Sequence, residues 1–223
     1  MPTTNRLQKL LFRTLRPLVR RMVHRMPVGD PWEKREARVS KRRFGPGCIK
    51  DWRWYFERES SVPVDSVEDI CSWLNGCEYM HDHHQFDSHD LWVHPVEFEF
   101  TRRGDCEDHA LWAWRKLTEI GMPAELVRGE ATSPEHGFEG AHAWVHFTVC
   151  GSLYVMESTA KGEQRRMIIP HDEARSHYCP EVSVDGTFKT YTYDGAVETL
   201  KAKLATPPPA KVRTAPSSDE RIQ

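Results

Sequence analysis

The sequence predicts an α+β domain in which one cysteine-bearing helix is followed by strands, two of them joined in a hairpin. Three observations predict it. The stretch Gly104 to Trp114 combines helix-start chemistry with apolar residues at helical spacing. After Pro123 the pattern changes to period two, with Ala124, Leu126 and Arg128 alternating with Glu125, Val127 and Gly129. Ala141 to Val149 then reads as a strand that returns through Cys150-Gly151-Ser152 into Leu153 to Met156, a hairpin pattern.

Asp105 is a good N-cap, and Glu107 and Asp108 in the first turn suit the positive end of a helix dipole. Ala110, Leu111, Trp114 and Leu117 would bury one face, and Gly121 and Pro123 end the element. Cys106 therefore falls where unpaired backbone N–H groups favour a thiolate. Such a thiolate is nucleophilic, and its own N–H can help bind an oxyanion. Two points weigh against this: a small buried cysteine is the commonest fate of a single Cys, and adjacent acids raise a thiol pKa.

Size and composition bound the rest. The 223 residues suffice for one domain with a sizeable core plus extensions. Lys and Arg number 31 against 33 Asp and Glu, so overall charge selects no partner, and nucleic acid is not expected as one. The eight Trp lie mostly mid-chain and place the core between Trp52 and Tyr193. Six cysteines, Cys48, Cys71, Cys77, Cys106, Cys150 and Cys179, follow an N-terminal segment with no uninterrupted apolar run. Reduced thiols and a cytoplasmic location are the expectation; an even count permits disulfides without implying them. No stretch approaches the ~18 apolar residues of a membrane span.

Residues 5–26 read as a basic amphipathic helix, kinked by Pro17. Leu7, Leu10, Leu11, Leu15, Leu18, Val19, Met22 and Val23 form a stripe, and seven Lys or Arg cover the remainder. The favoured reading is a helix docked on its own domain or on a partner. A membrane-surface contact, a nucleic-acid contact and a targeting presequence are the alternatives. Residues 27–47, with Pro27, Pro31, Gly45, Pro46 and Gly47, read as a linker, so residues 1–47 precede a domain over 48–204. Asp65 or Ser66 caps a helix running to Gly76, with Glu68 or Asp69 in its first turn. His81, His83, His84, His89 and His94 crowd the next loop, beside Asp82, Asp87 and Asp90. This is expected to be a solvated polar loop; a metal site there with Cys71 or Cys77 is the rival, although the spacings fit no familiar zinc pattern. Residues 131–140 read as a loop, Gly186 as a turn amid further strands, and 195–204 as a short helix. Residues 205–223 read as a disordered tail.

The hairpin brings His142 and His146 beside Glu157, which with Cys106 makes the set a thiol hydrolase needs. If Gly151-Ser152 forms the loop, His146 lies opposite Glu157 and His142 is offset by two pairs. The two histidines share a strand face, and geometry read from sequence does not choose between them.

Gly104-Asp-Cys-Glu-Asp, His142-Ala-Trp-Val and Tyr154-Val-Met-Glu-Ser-Thr resemble the three signature segments of the transglutaminase-like superfamily, and more particularly its bacterial cysteine proteases. Trp92-Val-His-Pro-Val-Glu is similar to the Trp-x-x-Pro-x-Glu stretch found upstream in that family. The resemblance implies a papain-like, transglutaminase-like α+β core with the Cys-bearing helix packed on an antiparallel sheet, His142 as base, and Glu157 in the third position, where most relatives carry Asp. Ser158 stands where the family usually has Pro. It implies an oxyanion site made from the Cys106 N–H and an upstream donor, for which Trp92 and Gln85 are the candidates. It also implies that acids flanking the nucleophile, here Asp105, Glu107 and Asp108, bind calcium in some members; no cofactor is required for the chemistry. The expected function is a cysteine peptidase, amidase or acyltransferase acting on protein or peptide substrates through an acyl-thioester. The rival is a catalytically dormant module that binds proteins.

Overall fold

A computed structural model describes residues 17–27, 29–88, 90–133, 138–162 and 166–205. The chain divides into two units, residues 1–25 with 200–223, and residues 26–199. In the first, residues 17–25 form a helix, α1, with Leu18, Val19 and Met22 exposed. The helix expected over 5–16 and the tail after Ala205 lie outside the described residues. Among the described residues, no helix is long and apolar enough to cross a membrane.

The second unit runs β1 (Lys34–Glu36), α2 (Val67–Asn75), β2 (Glu78–Tyr79), α3 (Asp82–Gln85), α4 (Pro95–Thr101), β3 (Arg103–Gly104), α5 (Cys106–Glu119), β4 (Ala124–Ser133), β5 (Phe138–Val149), β6 (Ser152–Met156), β7 (Ile168–Pro170), α6 (His171–Ala174), β8 (Tyr178–Asp185) and β9 (Thr190–Tyr193). Helix α7 (Gly195–Ala205) closes the described chain. Seven strands form one antiparallel sheet in the order β1-β9-β8-β4-β5-β6-β7, while β2 and β3 make a separate parallel pair. This is the α+β architecture that the sequence predicts.

Helix α5 sits against the sheet and is buried from Asp108 to Leu117 on all sides, rather than on one stripe. Its outward residues Arg115 and Lys116 are covered by residues 55–62. Arg115 donates to the Tyr55 carbonyl at 3.1 Å, and Lys116 to the Val62 carbonyl at 2.6 Å, so both charges are satisfied inside. Trp112 stacks on Trp73 with ring centres 3.9 Å apart. The helix ends as its sequence dictates. Gly121 adopts φ +78°, its N–H reaches the Thr118 carbonyl, and the Met122 N–H reaches that of Leu117, the pair of bonds that closes a Schellman cap. For α2, Ser66 is the cap, and Ser66 and Asp69 bond each other reciprocally.

Several expectations change. Residues 27–47 are not a linker. They supply edge strand β1, paired with β9, and Phe44, which is buried in the core. The loop expected over 131–140 is shorter, because β4 continues to Ser133 and β5 begins at Phe138. The β5–β6 turn is Cys150-Gly151, with φ +49° and +79° and Val149 opposite Ser152. That two-residue turn matches the twist of the strands, whereas Gly151-Ser152 would have required φ > 0 at a serine. The register shifts accordingly: His146 faces Val155, not Glu157.

Candidate active site

The start of α5 is held from two directions. The Met80 N–H reaches the Gly104 carbonyl at 2.9 Å, pinning β2 beside the residue that precedes the helix. Gly104 must be glycine there, since a Cβ would lie 2.5 Å from Asp108 Oδ2. Asp105 occupies the N-cap position, but its side chain makes no capping bond. Cys106 is half-buried, and its Sγ donates to Glu107 Oε2 at 3.1 Å. The Ala143 N–H is directed at the sulfur. Strand β6 stops pairing with β5 at Met156, opposite Val145, so Ala143 lies beyond the last β5–β6 pair. The sulfur thus lies against β5 at the residue next to His142.

The environment does not favour a resting thiolate. Burial first, then the Glu107 and Asp105 charges, push the Cys106 thiol well above its ordinary range, against the pull of the Ala143 N–H. The helix-start effect expected from position alone is outweighed by the acids that occupy that start.

Across the strand, His142 Nε2 meets Glu157 Oε2 at 2.8 Å, with both residues buried and Glu157 0 % exposed. Tyr178 donates its hydroxyl to the same oxygen at 2.9 Å. The other oxygen accepts the Thr159 N–H at 3.1 Å and the Thr159 hydroxyl. Burial raises the Glu157 pKa, but the His142 charge and the hydrogen bonds from His142, Thr159 and Tyr178 overcome it and hold the carboxyl at about 2. His146 is elsewhere occupied. It accepts from Trp144 Nε1 at 2.9 Å and stacks on Trp32, and burial holds it neutral, with a pKa lowered to about 3. Of the two histidines that the sequence left in competition, His142 is the one bonded to Glu157.

A carboxylate cluster surrounds the first turn. Oxygens of Asp82, Asp90 and Glu107 lie within 4.8 Å of one another, as do those of Asp82, Asp105 and Asp108. All five acids are pushed up, in each case by burial first. Asp105 and Glu107 additionally share a hydrogen bond. Asp105 Oδ1 and Asp108 Oδ2 are buried without a hydrogen-bond partner among the described residues. No histidine of the 81–94 stretch joins this cluster among the described residues, and His89 lies outside them. His94 is buried instead as the cap of α4, accepting from the Val96 N–H at 3.1 Å. Cys77 bonds the Trp73 carbonyl. Trp92 is buried in the core, with its indole N–H on Asp90, and Gln85 keeps its Oε1 buried without a partner among the described residues.

Residues 54–159 match the family model of the transglutaminase-like superfamily core. Over this stretch the chain is similar to that core. Among solved structures, LapG from Legionella pneumophila is 20 % identical with a TM-score of 0.44, over 84 % of this chain and 93 % of that one. Its calcium-bound form is 21 % identical with a TM-score of 0.41, over 75 % and 82 %. A candidate cysteine protease from Cytophaga hutchinsonii is 11 % identical with a TM-score of 0.35, over 64 % and 57 %. No curated protein matches the chain.

Two residues that hold Glu157 escaped sequence reasoning. Thr159 ends the Glu157-Ser-Thr run, where an i+2 hydroxyl bonding back to an acid is a usual local turn contact, so a signal existed. Tyr178 reaches Glu157 from 21 residues away through the sheet, and no local pattern announces it.

Proposed function

We propose that this transglutaminase-like domain is a cysteine hydrolase or acyltransferase of protein or peptide substrates, with Cys106 as nucleophile, His142 as base and Glu157 as orienting acid. The observation that carries the reading is the buried His142–Glu157 bond of 2.8 Å, which commits Nε2 to the carboxylate and makes Nδ1 the nitrogen that must take the thiol proton. The Ala143 N–H on the sulfur supports it by bringing Cys106 against the same strand. Because the thiol rests protonated on Glu107, proton removal by His142 accompanies attack rather than preceding it. Cys106 Sγ adds to an amide carbonyl, the oxyanion takes the Cys106 N–H, and His142 returns the proton to the departing amine. Water or a second amine then resolves the acyl-thioester. Any share of Trp92 in the oxyanion site falls to its main-chain amide, since its indole serves Asp90.

The residues present also fit calcium. Asp105, Glu107 and Asp108 offer hard oxygen donors, two of them with buried oxygens lacking a partner among the described residues. When bound, the ion would neutralise the carboxylates beside the nucleophile. Six free cysteines accord with a reducing, cytoplasmic setting, and the basic N-terminal helix is assigned to a membrane surface or a partner.

The test is cleavage of a peptide library, followed by mass spectrometry. Cys106→Ala and His142→Ala should abolish most turnover, and Glu157→Ala should cost less than either. Turnover retained by Cys106→Ala would overturn the mechanism. A second reading, a dormant protein-binding module, is favoured by the acid-bound thiol. It predicts no turnover in the wild type and a Cys106 no more reactive than the other cysteines.

A further inference from the structure

Tyr79 stands beside the nucleophile without belonging to the set that carries the chemistry. It pairs with Gly104 in the β2–β3 ladder, two residues before Cys106. Its ring lies over His109, one turn further along α5, with centroids 6.2 Å apart and planes 28° apart. Partial burial, then the charge of Cys106, then those of Asp105, Glu107 and Glu157, raise its phenol above the usual range. Tyr79 is therefore within electrostatic reach of both the nucleophile and the orienting acid, yet it is 41 % exposed. The chain continues this surface with more rings. His81 meets Tyr79 edge-on with centroids 5.1 Å apart, and His83 stacks on His81 at 5.5 Å. Both histidines are exposed, whereas Asp82 between them is buried, so Tyr79, His81 and His83 turn to solvent at every second residue. Leu91, also exposed, is tied to this stretch by its N–H on Asp82 Oδ2. Rings left in contact with one another and with water form a stacking platform, and an apolar patch kept at the surface marks a binding surface. The carboxylates of Asp105 and Glu107 repel an acidic side chain at the near end of this strip, so a neutral ring is the group that fits it.

We propose that Tyr79, His81 and His83 form a subsite for an aromatic side chain of an extended peptide substrate, with Tyr79 as the residue that selects it. The inference rests on the reading of Cys106 as the nucleophile of a peptide hydrolase or acyltransferase, and it names the feature by which that enzyme chooses its substrate. An extended chain advances about 3.3 Å per residue, and exposed charges interact over ~10 Å, so the selected residue lies within about three positions of the scissile bond. Neighbouring side chains on one face of such a chain recur every second residue, as the exposed rings of the strip do.

The experiment uses the full chain and a random peptide library, with cut sites mapped by mass spectrometry. Phe, Tyr and Trp should be enriched at one position near the cut. Paired peptides that differ only as Phe or Ala at that position then give a ratio of kcat/KM, expected to be about tenfold or more and carried mainly by KM, the usual worth of burying one ring against another. Tyr79→Ala should bring that ratio close to one. Tyr79→Phe should keep it, because the ring and not the hydroxyl does the selecting, and a merely structural role would not move the ratio. Should Tyr79→Ala fail to fold, the exposed His81→Ala decides, with an expected fall of about threefold. Cleavage with no aromatic preference, a preference for Lys or Arg at that position, or a ratio unchanged in both Tyr79→Ala and His81→Ala would overturn the subsite and leave the hydrolase reading standing. A wild type that cleaves no peptide would overturn both.

Discussion

Glu157 shows how one buried carboxylate can be made both ionised and fixed. Its two oxygens receive four donors, and those donors, not exposure, keep it charged. Tyr178 is the donor whose removal is cleanest. Tyr178→Phe deletes one hydrogen bond to a buried charge, which is worth about 1.5 kcal/mol, and should lower stability by that amount in urea unfolding. Under the proposed mechanism it should also lower kcat while leaving KM nearly unchanged. Glu157→Gln should cost more, about 3 kcal/mol, because it breaks a buried pair. An unaltered urea midpoint in Tyr178→Phe would show that the hydroxyl does not bear on the carboxylate. At this scale the sequence was informative where chemistry is local. Cys106, His142 and Glu157 stand at motif positions, whereas the identity of Tyr178 depends on a sheet partner that no neighbouring residue specifies.

Secondary structure was legible where patterns were regular and obscure where the sheet bends or ends. Helices α2 and α5 follow from their caps and apolar spacing. Strand β8 is hard to read because Pro180 lies inside it. A proline lacks the N–H that a central strand needs, and the sheet accommodates it at a bulge, where Gly129 faces Pro180 and Arg128 faces Val182. Gly129 is required there, since a Cβ would fall 2.1 Å from the Cys179 carbonyl. Strand β1 is three exposed charged residues, Lys34, Arg35 and Glu36, with no apolar pattern to announce it; such charge is common on sheet edges. The β5–β6 turn carries its own prediction. Cys150 sits at φ +49° in the first turn position, where asparagine is the better residue. Cys150→Asn should therefore stabilise the protein by about 0.5–1 kcal/mol, read as a higher Tm. A lower Tm would argue against that turn geometry.

For the whole molecule, titration links the cluster to the fold. Burial and mutual repulsion raise Asp105 to about 10 and Asp108 well above its usual range. A raised carboxyl binds its proton more tightly folded than unfolded, so its destabilising share appears above about pH 4 and grows as pH rises toward the folded value. Three groups act oppositely on the acid side. His109 and His146 are held neutral, with pKa values lowered to about 3, and the stability this supplies above about pH 6.5 is lost as pH falls toward 3. Glu157, at about 2, adds a share lost as pH falls from about 4.5 through 2. In EDTA, urea unfolding should therefore show stability declining from pH 6.5 to 9, and Asp108→Asn should flatten that decline. A flat wild-type profile would contradict a buried cluster that holds its protons more tightly folded than unfolded. The domain itself was legible because its motifs, helix and hairpin agree. The cluster was not, because Asp82 and Asp90 join it only when α3 and the following chain fold back onto α5.

The most direct measurement is acylation of Cys106 by an activated ester, p-nitrophenyl acetate, followed as a nitrophenol burst and mapped by mass spectrometry at pH 7.5. The account predicts one acetyl group on Cys106, formed about 100-fold or more faster in the wild type than in His142→Ala, which is the usual worth of a general base. It predicts no burst in Cys106→Ala. Equal burst rates with and without His142, or acetyl groups spread over the other cysteines, would contradict it.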